Sequence, residues 1–365
     1  MTAPARVVVV DDSPFICRLM TSHLQAVPDI KVVGTALNGL QALALIKELR
    51  PDVVTLDLEM PAMNGEQTLE AIMYDCPTPV VLVSGVSHQA AQVTMRALEM
   101  GAVDFILKYT PGVDTDPDAL RQEIIAKVRA AARIHVIRSV RRRSVADLEF
   151  ALPSPAPSEI SSEAPAHFDA APFAPGVVIV IGASTGGPVA VRELIGTLPA
   201  DFPAALIVVQ HIPATFTGVL AAQLNRHSNL RVKEAQNGDR LQAGNVLIAP
   251  GGYHLLVRAD ARVELNQGPE IGGHRPSIDV TMQSVAQWYN ARAKGVVLTG
   301  MGSDGALGLV AIRSKGGQTF AQDAESCVVN GMPQRAIEKG VVDHVASPSQ
   351  IAHLLRIECA PKRER

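Results

Sequence analysis

The 365-residue sequence predicts an α/β protein made of two parallel-sheet units joined by a proline-rich connection. Three observations carry that prediction. Both halves alternate short apolar runs with helical periodicity, the pattern of strands joined by helical crossovers. From Ser144 to Pro175 the chain becomes rich in Pro, Ala and Ser and loses sustained periodicity, which predicts an extended linker. Polar residues capable of chemistry recur where the apolar runs stop, the edge at which parallel sheets bind ligands.

In the first half, strands are expected at 7–10, 30–36, 53–56, 80–83 and 104–107. The segment 36–50 reads as a helix with Leu40, Leu43, Ile46 and Leu49 on one face. The last helix of this half is expected to open with Asp116 as cap and Pro117 in its first turn. It runs through Leu120, Ile124, Val128 and Ile134 into R-S-V-R-R-R, a basic cluster better explained as a solvated helix end than as a nucleic-acid patch. In the second half, strands are expected at 177–181, 205–209, 246–249, 295–298 and 318–321. The stretch 246–265 differs: two apolar runs meet at Pro250-Gly251-Gly252 and a third follows Ala261. That pattern predicts an antiparallel meander or hairpin inserted in, or flanking, the parallel sheet.

The 33 basic and 36 acidic side chains leave a net charge of -3, so there is no electrostatic reason to expect nucleic acid or an acidic membrane as partner. No apolar run approaches the roughly 18 to 20 residues that span a bilayer, so no membrane insertion is expected. The opening M-T-A-P-A-R leads straight into a strand without a secretory apolar region, and a cytoplasmic location is expected. Cys17, Cys76, Cys327 and Cys359 are scattered and fit reduced thiols, and the histidines show no paired metal spacing.

The strand ends of the first half collect charge. The first ends in Asp11-Asp12, the third in Asp57, the fourth in Ser84 and the fifth in Lys108. Three carboxylates in one place repel unless a cation sits among them, and an all-oxygen set suits Mg²⁺. A hydroxyl and an ammonium alongside would steady phosphoryl oxygens. On these residues, 1–133 resembles a response-regulator receiver domain, whose fold is the flavodoxin-like five-stranded sheet of order 2-1-3-4-5. The resemblance implies Asp57 as phosphoacceptor. It implies Mg²⁺ held by Asp11, Asp12, Asp57 and the backbone carbonyl of Glu59, and phosphoryl contacts from Ser84 and Lys108. Phe105 matches the aromatic switch residue. Such domains usually carry Lys-Pro after the fifth strand, where this chain has Lys108-Tyr109 and its proline only at Pro111.

The second half opens with V-V-I-V-I-G-A-S-T-G-G-P (177–188), a strand running into a glycine turn. A dinucleotide site would need a middle glycine and an acid after the second strand, and both are missing; there is no G-K-[ST] either. The turn also contains the G-x-S-x-G form of a serine nucleophile elbow. His211 ends the second strand of this half and Asp304 lies just past the strand at 295–298, so Ser184, His211 and Asp304 fall at neighbouring strand edges. That is the set a nucleophile, base and orienting acid require. The order Ser, His, Asp is not that of the α/β-hydrolases.

Five stretches then carry a second resemblance: I-G-A-S-T-G-G-P (181–188), V-V-Q-H-I-P (208–213), H-R-P-S-I-D-V (274–280), L-T-G-M-G-S-D-G (298–305) and A-Q-D-A-E-S-C-V-V-N-G-M-P (321–333). With 134–175 as linker, 176–365 resembles the catalytic domain of the CheB family of chemotaxis methylesterases, a doubly wound, Rossmann-like α/β fold with an antiparallel hairpin. The resemblance implies Ser184 as nucleophile, His211 as general base and Asp304 as orienting acid. Thr185 and Met301 would line the site, the Met301 amide serving as an oxyanion donor. The H-R-P-S-I-D-V stretch either lines the pocket or only starts a helix. The implied reaction is hydrolysis of glutamate γ-methyl esters on chemoreceptors, with deamidation of receptor glutamines, switched on by a chemotaxis histidine kinase. No cofactor is expected at the esterase site, and a monomer is expected. A receiver-controlled nucleotide-binding module, or an enzyme of this family serving a non-chemotaxis receptor, stays open on the sequence.

Overall fold

The computed structural model describes residues 3–108, 117–134 and 175–360. Tyr109, Pro111, Asp116, the basic run at 138–143 and linker positions 135–174 lie outside the described residues. The first unit runs β1 (Ala5–Val10), α1 (Pro14–Leu24), β2 (Ile30–Ala36), α2 (Gly39–Leu49), β3 (Val53–Asp57), α3 (Gly65–Asp75), β4 (Val80–Ser84), α4 (His88–Glu99), β5 (Asp104–Leu107) and α5 (Pro117–Ala131). Its five strands are parallel in the order β2-β1-β3-β4-β5, as expected. Every residue of β3 and β4 is buried, because crossover helices cover both faces of the sheet. Ser13, Asn38, Asn64 and Ser87 each accept an amide of the helix they precede.

Leu40 corrects the sequence reading of α2. It is exposed, whereas Gly39, Ala42 and Ile46 form the buried face. A strict step of three residues slips about 60° per step at 3.6 residues per turn, so Leu40 rotates away from the face that Ile46 occupies.

The second unit runs β6 (Val177–Ala183), α6 (Gly187–Gly196), β7 (Ala204–Gln210), α7 (Ala214–Arg226), β8 (Arg231–Glu234), β9 (Asn245–Ile248), β10 (His254–Val257), β11 (Val263–Asn266), α8 (Ile278–Tyr289), β12 (Ala293–Val297), α9 (Ala306–Ser314), β13 (Gln318–Gln322), α10 (Gly331–Glu338), β14 (His344–Ala346) and α11 (Pro348–Glu358). Seven strands pair in parallel in the order β14-β13-β12-β6-β7-β9-β8. β10 and β11 form a separate antiparallel hairpin. A three-stranded meander is therefore not formed: β9 is buried along its length between β7 and β8. The turn after it leads out of the sheet rather than back along it. β8 and β14 are strands the apolar runs did not signal, being only four and three residues long.

The chain order reverses between β1 and β3 in the first sheet and between β6 and β12 in the second. Crevices at the carboxyl ends of such strands are where doubly wound folds bind ligands. The two units also pack on one another. α4 lies against α7, and one apolar cluster runs through Met95, Leu98 and Phe105 of the first unit and Phe216, Leu220 and Leu224 of the second. The rings of Phe105 and Phe216 stack with centroids 4.6 Å apart. Gln223 donates to the Met95 carbonyl at 3.2 Å, and Glu99 pairs with Arg192 at 3.0 Å.

Candidate functional site

The reversal in the first sheet brings Asp11 and Asp12, after β1, to Asp57 at the end of β3. Carboxylate oxygens of the three lie within 4.8 Å of one another. Lys108 Nζ bonds Asp57 at 2.6 Å and lies 3.4 Å from Asp11. The Glu59 amide donates to Asp57 and the Ser13 amide to Asp11. Burial raises the Asp57 carboxyl to about 6, against the opposing pull of Lys108 and the Glu59 amide, with Asp11 adding to the rise. Asp11 Oδ2 is buried and accepts no hydrogen bond. Lys108 is the ion-pair partner of that oxygen, and three hard carboxylates converging this closely fit a small divalent cation such as Mg²⁺.

Ser84 is at the end of β4 as expected, but its hydroxyl is engaged with α4. It lies 2.6 Å from Thr94 Oγ1 and 3.2 Å from the Gly85 carbonyl. Since the Thr94 hydroxyl already donates to the Ala90 carbonyl, the single Ser84 hydrogen serves Thr94 or Gly85. Phe105, at the position expected for the switch aromatic, is buried on Phe216 at the contact between the units.

The second site forms at the reversal between β6 and β12. β6 delivers Ser184, β7 delivers His211, and the loop after β12 delivers Asp304. Gly186, at φ 75°, turns the chain into α6 where a side chain would be strained. A Cβ at Gly187 would collide with the Gln210 side chain, whose amide donates to the Ser184 carbonyl at 2.8 Å. The Ser184 amide bonds the Thr299 carbonyl at 3.0 Å, and the His211 amide bonds the Ala183 carbonyl at 3.1 Å. These bonds lock the serine turn between its two neighbouring strands.

His211 Nε2 lies 2.9 Å from Asp304 Oδ2, and both side chains are almost wholly buried. Asp304 also accepts from Ser277 Oγ and from the amides of Ile278, Asp279 and Gly305. Burial alone would raise this carboxyl. The hydrogen bond from His211 and the amides at the start of α8 outweigh it and hold the group at about 2. An ionised Asp304 needs a hydrogen on Nε2, which leaves Nδ1 as the acceptor nitrogen. His211 Nδ1 is buried and has no hydrogen-bond partner. Neighbouring Asp279 is pushed the other way, to about 6, chiefly by burial and by the charge on Asp304 against the Gly308 amide.

Ser184, Thr185, His211 and Met301 line one cavity of about 500 Å³. Thr185 is buried, and its carbonyl accepts from the Thr299 hydroxyl at 3.0 Å. Glu123 and Lys127 of α5 line the same cavity, so the first unit forms part of its wall. Lys127 Nζ bonds Glu123 at 2.8 Å and the Phe105 carbonyl at 2.6 Å.

The stretch 274–280 does both things allowed for it. Ser277 caps α8, while His274 lines the cavity and stacks on His211 with centroids 3.9 Å apart. Sequence reasoning singled out neither Gln210 nor Thr94, nor the α5 side chains. Gln210 had one signal, as the residue between a strand and His211; the α5 side chains reach the cavity only through packing between distant segments.

Among the described residues all four cysteines are free, and no helix is long and apolar enough to cross a membrane.

Residues 179–355 match the family model described as CheB methylesterase, and residues 7–124 match that of the response regulator receiver domain. The chain is 45% identical over 350 residues to a protein-glutamate methylesterase/protein-glutamine glutaminase of Symbiobacterium thermophilum, covering 96% of this chain and 95% of the relative. It is 41% identical over 361 residues to a protein-glutamate methylesterase/protein-glutamine glutaminase 2 of Pseudomonas aeruginosa, covering 98% and 97%. The crystal structure of the Thermotoga maritima CheB methylesterase catalytic domain is 41% identical, with a TM-score of 0.49, over 50% of this chain and 98% of that one. The two methylesterase/glutaminase relatives do not favour a nucleotide-binding output module.

Proposed function

Because the chain belongs to the CheB methylesterase family and carries a response regulator receiver domain ahead of the esterase domain, we propose that it is a serine hydrolase acting on chemoreceptor glutamate γ-methyl esters, held in check by its own receiver. Its activities are those of a protein-glutamate methylesterase and a protein-glutamine glutaminase. Residues 1–133 serve as the receiver, 134–175 as the linker and 176–365 as the catalytic unit of a cytoplasmic monomer.

One observation supports the chemistry best: Asp304 holds Nε2 of His211, and Nδ1 is left buried and unpartnered at the cavity that Ser184 lines. Nδ1 is then the base. It takes the Ser184 proton as Oγ attacks the ester carbonyl, and Asp304 stabilises the imidazolium. The tetrahedral oxyanion is met by backbone amides, that of the cavity-lining Met301 among them, and by the positive end of α6. Collapse returns the proton to the departing oxygen, and methanol leaves. Water, deprotonated by the same nitrogen, frees Ser184 and the glutamate carboxylate. A glutamine substrate loses ammonia by the same path.

In the receiver, Asp57 accepts the phosphoryl group from the chemotaxis histidine kinase. Asp11, Asp12, Asp57 and the Glu59 carbonyl would hold Mg²⁺, which neutralises charge on the phosphoryl oxygens. Lys108 steadies the same oxygens. Ser84 joins them by leaving Thr94, which disturbs α4 where it meets α7. Phosphorylation thereby favours a form in which the receiver stands away from the cavity.

The test is methanol release from methylated receptor membranes. Ser184→Ala is expected to abolish it while Asp57 still takes label from a phosphodonor. Methanol release by this variant at the wild-type rate would refute the nucleophile assignment.

A further inference from the structure

The second histidine of the cavity has a role that the triad leaves unassigned. His274 stacks face to face on His211, centroids 3.9 Å apart and planes within 13°. His211 is thus held from three directions: its amide on the Ala183 carbonyl, its Nε2 on Asp304, and one ring face on His274. His274 is itself fixed. Its backbone pairs with Ile271 in both directions at 3.1 Å, and Arg275 beside it donates to the Gly268 carbonyl at 2.8 Å. Two residues on, Ser277 caps α8 and bonds Asp304 at 3.0 Å. One helix start therefore places both the acid and the stacked ring.

The charged and titratable groups around His274 are His211, Asp304 and Glu270, with Arg275 next in sequence and Glu123 and Lys127 on the receiver wall of the cavity. Burial, and after it the proximity of His211, lower the His274 imidazole below its ordinary value despite Asp304 and Glu270. The ring against His211 is therefore uncharged at neutral pH.

We propose that His274 is a positioning residue for the esterase reaction: its ring fixes the plane of His211, and its π-face stabilises the imidazolium that forms there when the serine proton arrives. This rests on the reading of Ser184 and His211 given above. A side chain that merely filled space would be replaceable by any apolar group of similar size, whereas a π-face would be replaceable only by another aromatic ring.

The experiment is methanol release by the full-length protein across pH, for His274→Leu and His274→Phe. Leu is expected to lower kcat about tenfold with KM little changed, the cost of one cation–π contact. It should also move the acid limb of kcat/KM down by about one pH unit, the same tenfold, because the imidazolium loses its partner. Phe should restore kcat to within about threefold, together with the acid limb. His274→Gln, which has no ring, is expected to follow Leu and takes its place if Leu impairs folding. Equal effects of the non-aromatic and Phe variants, or a loss confined to KM, would overturn the proposal. Ser184→Ala run alongside keeps the two readings apart. Its activity would sink the nucleophile; its silence beside a fully active Leu variant would sink only the role of His274.

Discussion

The Asp304 carboxylate accepts from His211, Ser277 and three backbone amides, and that set decides which nitrogen of His211 is free. An amide in place of the carboxylate would present a donor to Nε2 and drive the hydrogen to Nδ1, the nitrogen proposed to take the serine proton. Asp304→Asn is therefore expected to lower kcat for methanol release by about 10³ to 10⁴ with the fold intact. Asp304 also links the site to acid stability. Its folded value, about 2, lies below the ordinary 3.8, so its contribution is fully present above about pH 4. It is lost as pH falls through 2. The difference corresponds to about 2 kcal/mol. Acid unfolding of the wild type, followed by circular dichroism, should show this loss between about pH 4 and 2. The Asn variant should lack that component, and an identical acid midpoint in both would contradict the assigned ionisation.

At the scale of elements, the contact of α4 and β5 with α7 is where apolar packing and ion pairs can be compared. The Phe105–Phe216 stack is buried, and such pairs add about 1 kcal/mol beyond area burial. Glu99 with Arg192 and His227 is partly solvated, and pairs of that kind contribute little. Phe105→Leu should thus raise methanol release without phosphodonor by about fivefold, the factor that 1 kcal/mol sets. Glu99→Gln should leave it nearly unchanged. The reverse ranking would mean that charge holds the units together. The same comparison explains what was legible in the sequence. β2 and β5 were visible to the residue as apolar runs, and so were the polar groups at the strand ends, because a parallel sheet puts chemistry at one edge. β8 and β14 lie at the sheet's outer positions and are only four and three residues long, too short for a run to stand out. The His274 stack and the Lys127 wall depend on segments far apart in the chain meeting in space, and no local pattern encodes them.

At the scale of the whole molecule, the receiver side chains at the cavity wall set a limit on control. If the receiver is closed for all but a small fraction of the time, full activation can raise the rate only by the inverse of that fraction. A closed population of 99% caps it at about a hundredfold, and reversing that ratio takes about 5.5 kcal/mol. The phosphoryl group proposed for Asp57 would have to supply this difference across the molecule, since Asp57 lies at the receiver sheet edge. Among the described residues, Asp11, Asp12 and Asp57 are the one carboxylate, histidine or cysteine cluster with metal-binding spacing. The esterase chemistry proposed for Ser184, His211 and Asp304 uses no metal. Metal dependence should therefore separate control from catalysis. With Mg²⁺ and a small-molecule phosphodonor, methanol release should rise. Chelating the Mg²⁺ should remove that increment and leave the basal rate, and Asp57→Asn should give the same basal rate with or without phosphodonor. Loss of the basal rate on chelation would place a metal in the esterase step, and an accelerating response in the Asn variant would place control elsewhere than Asp57.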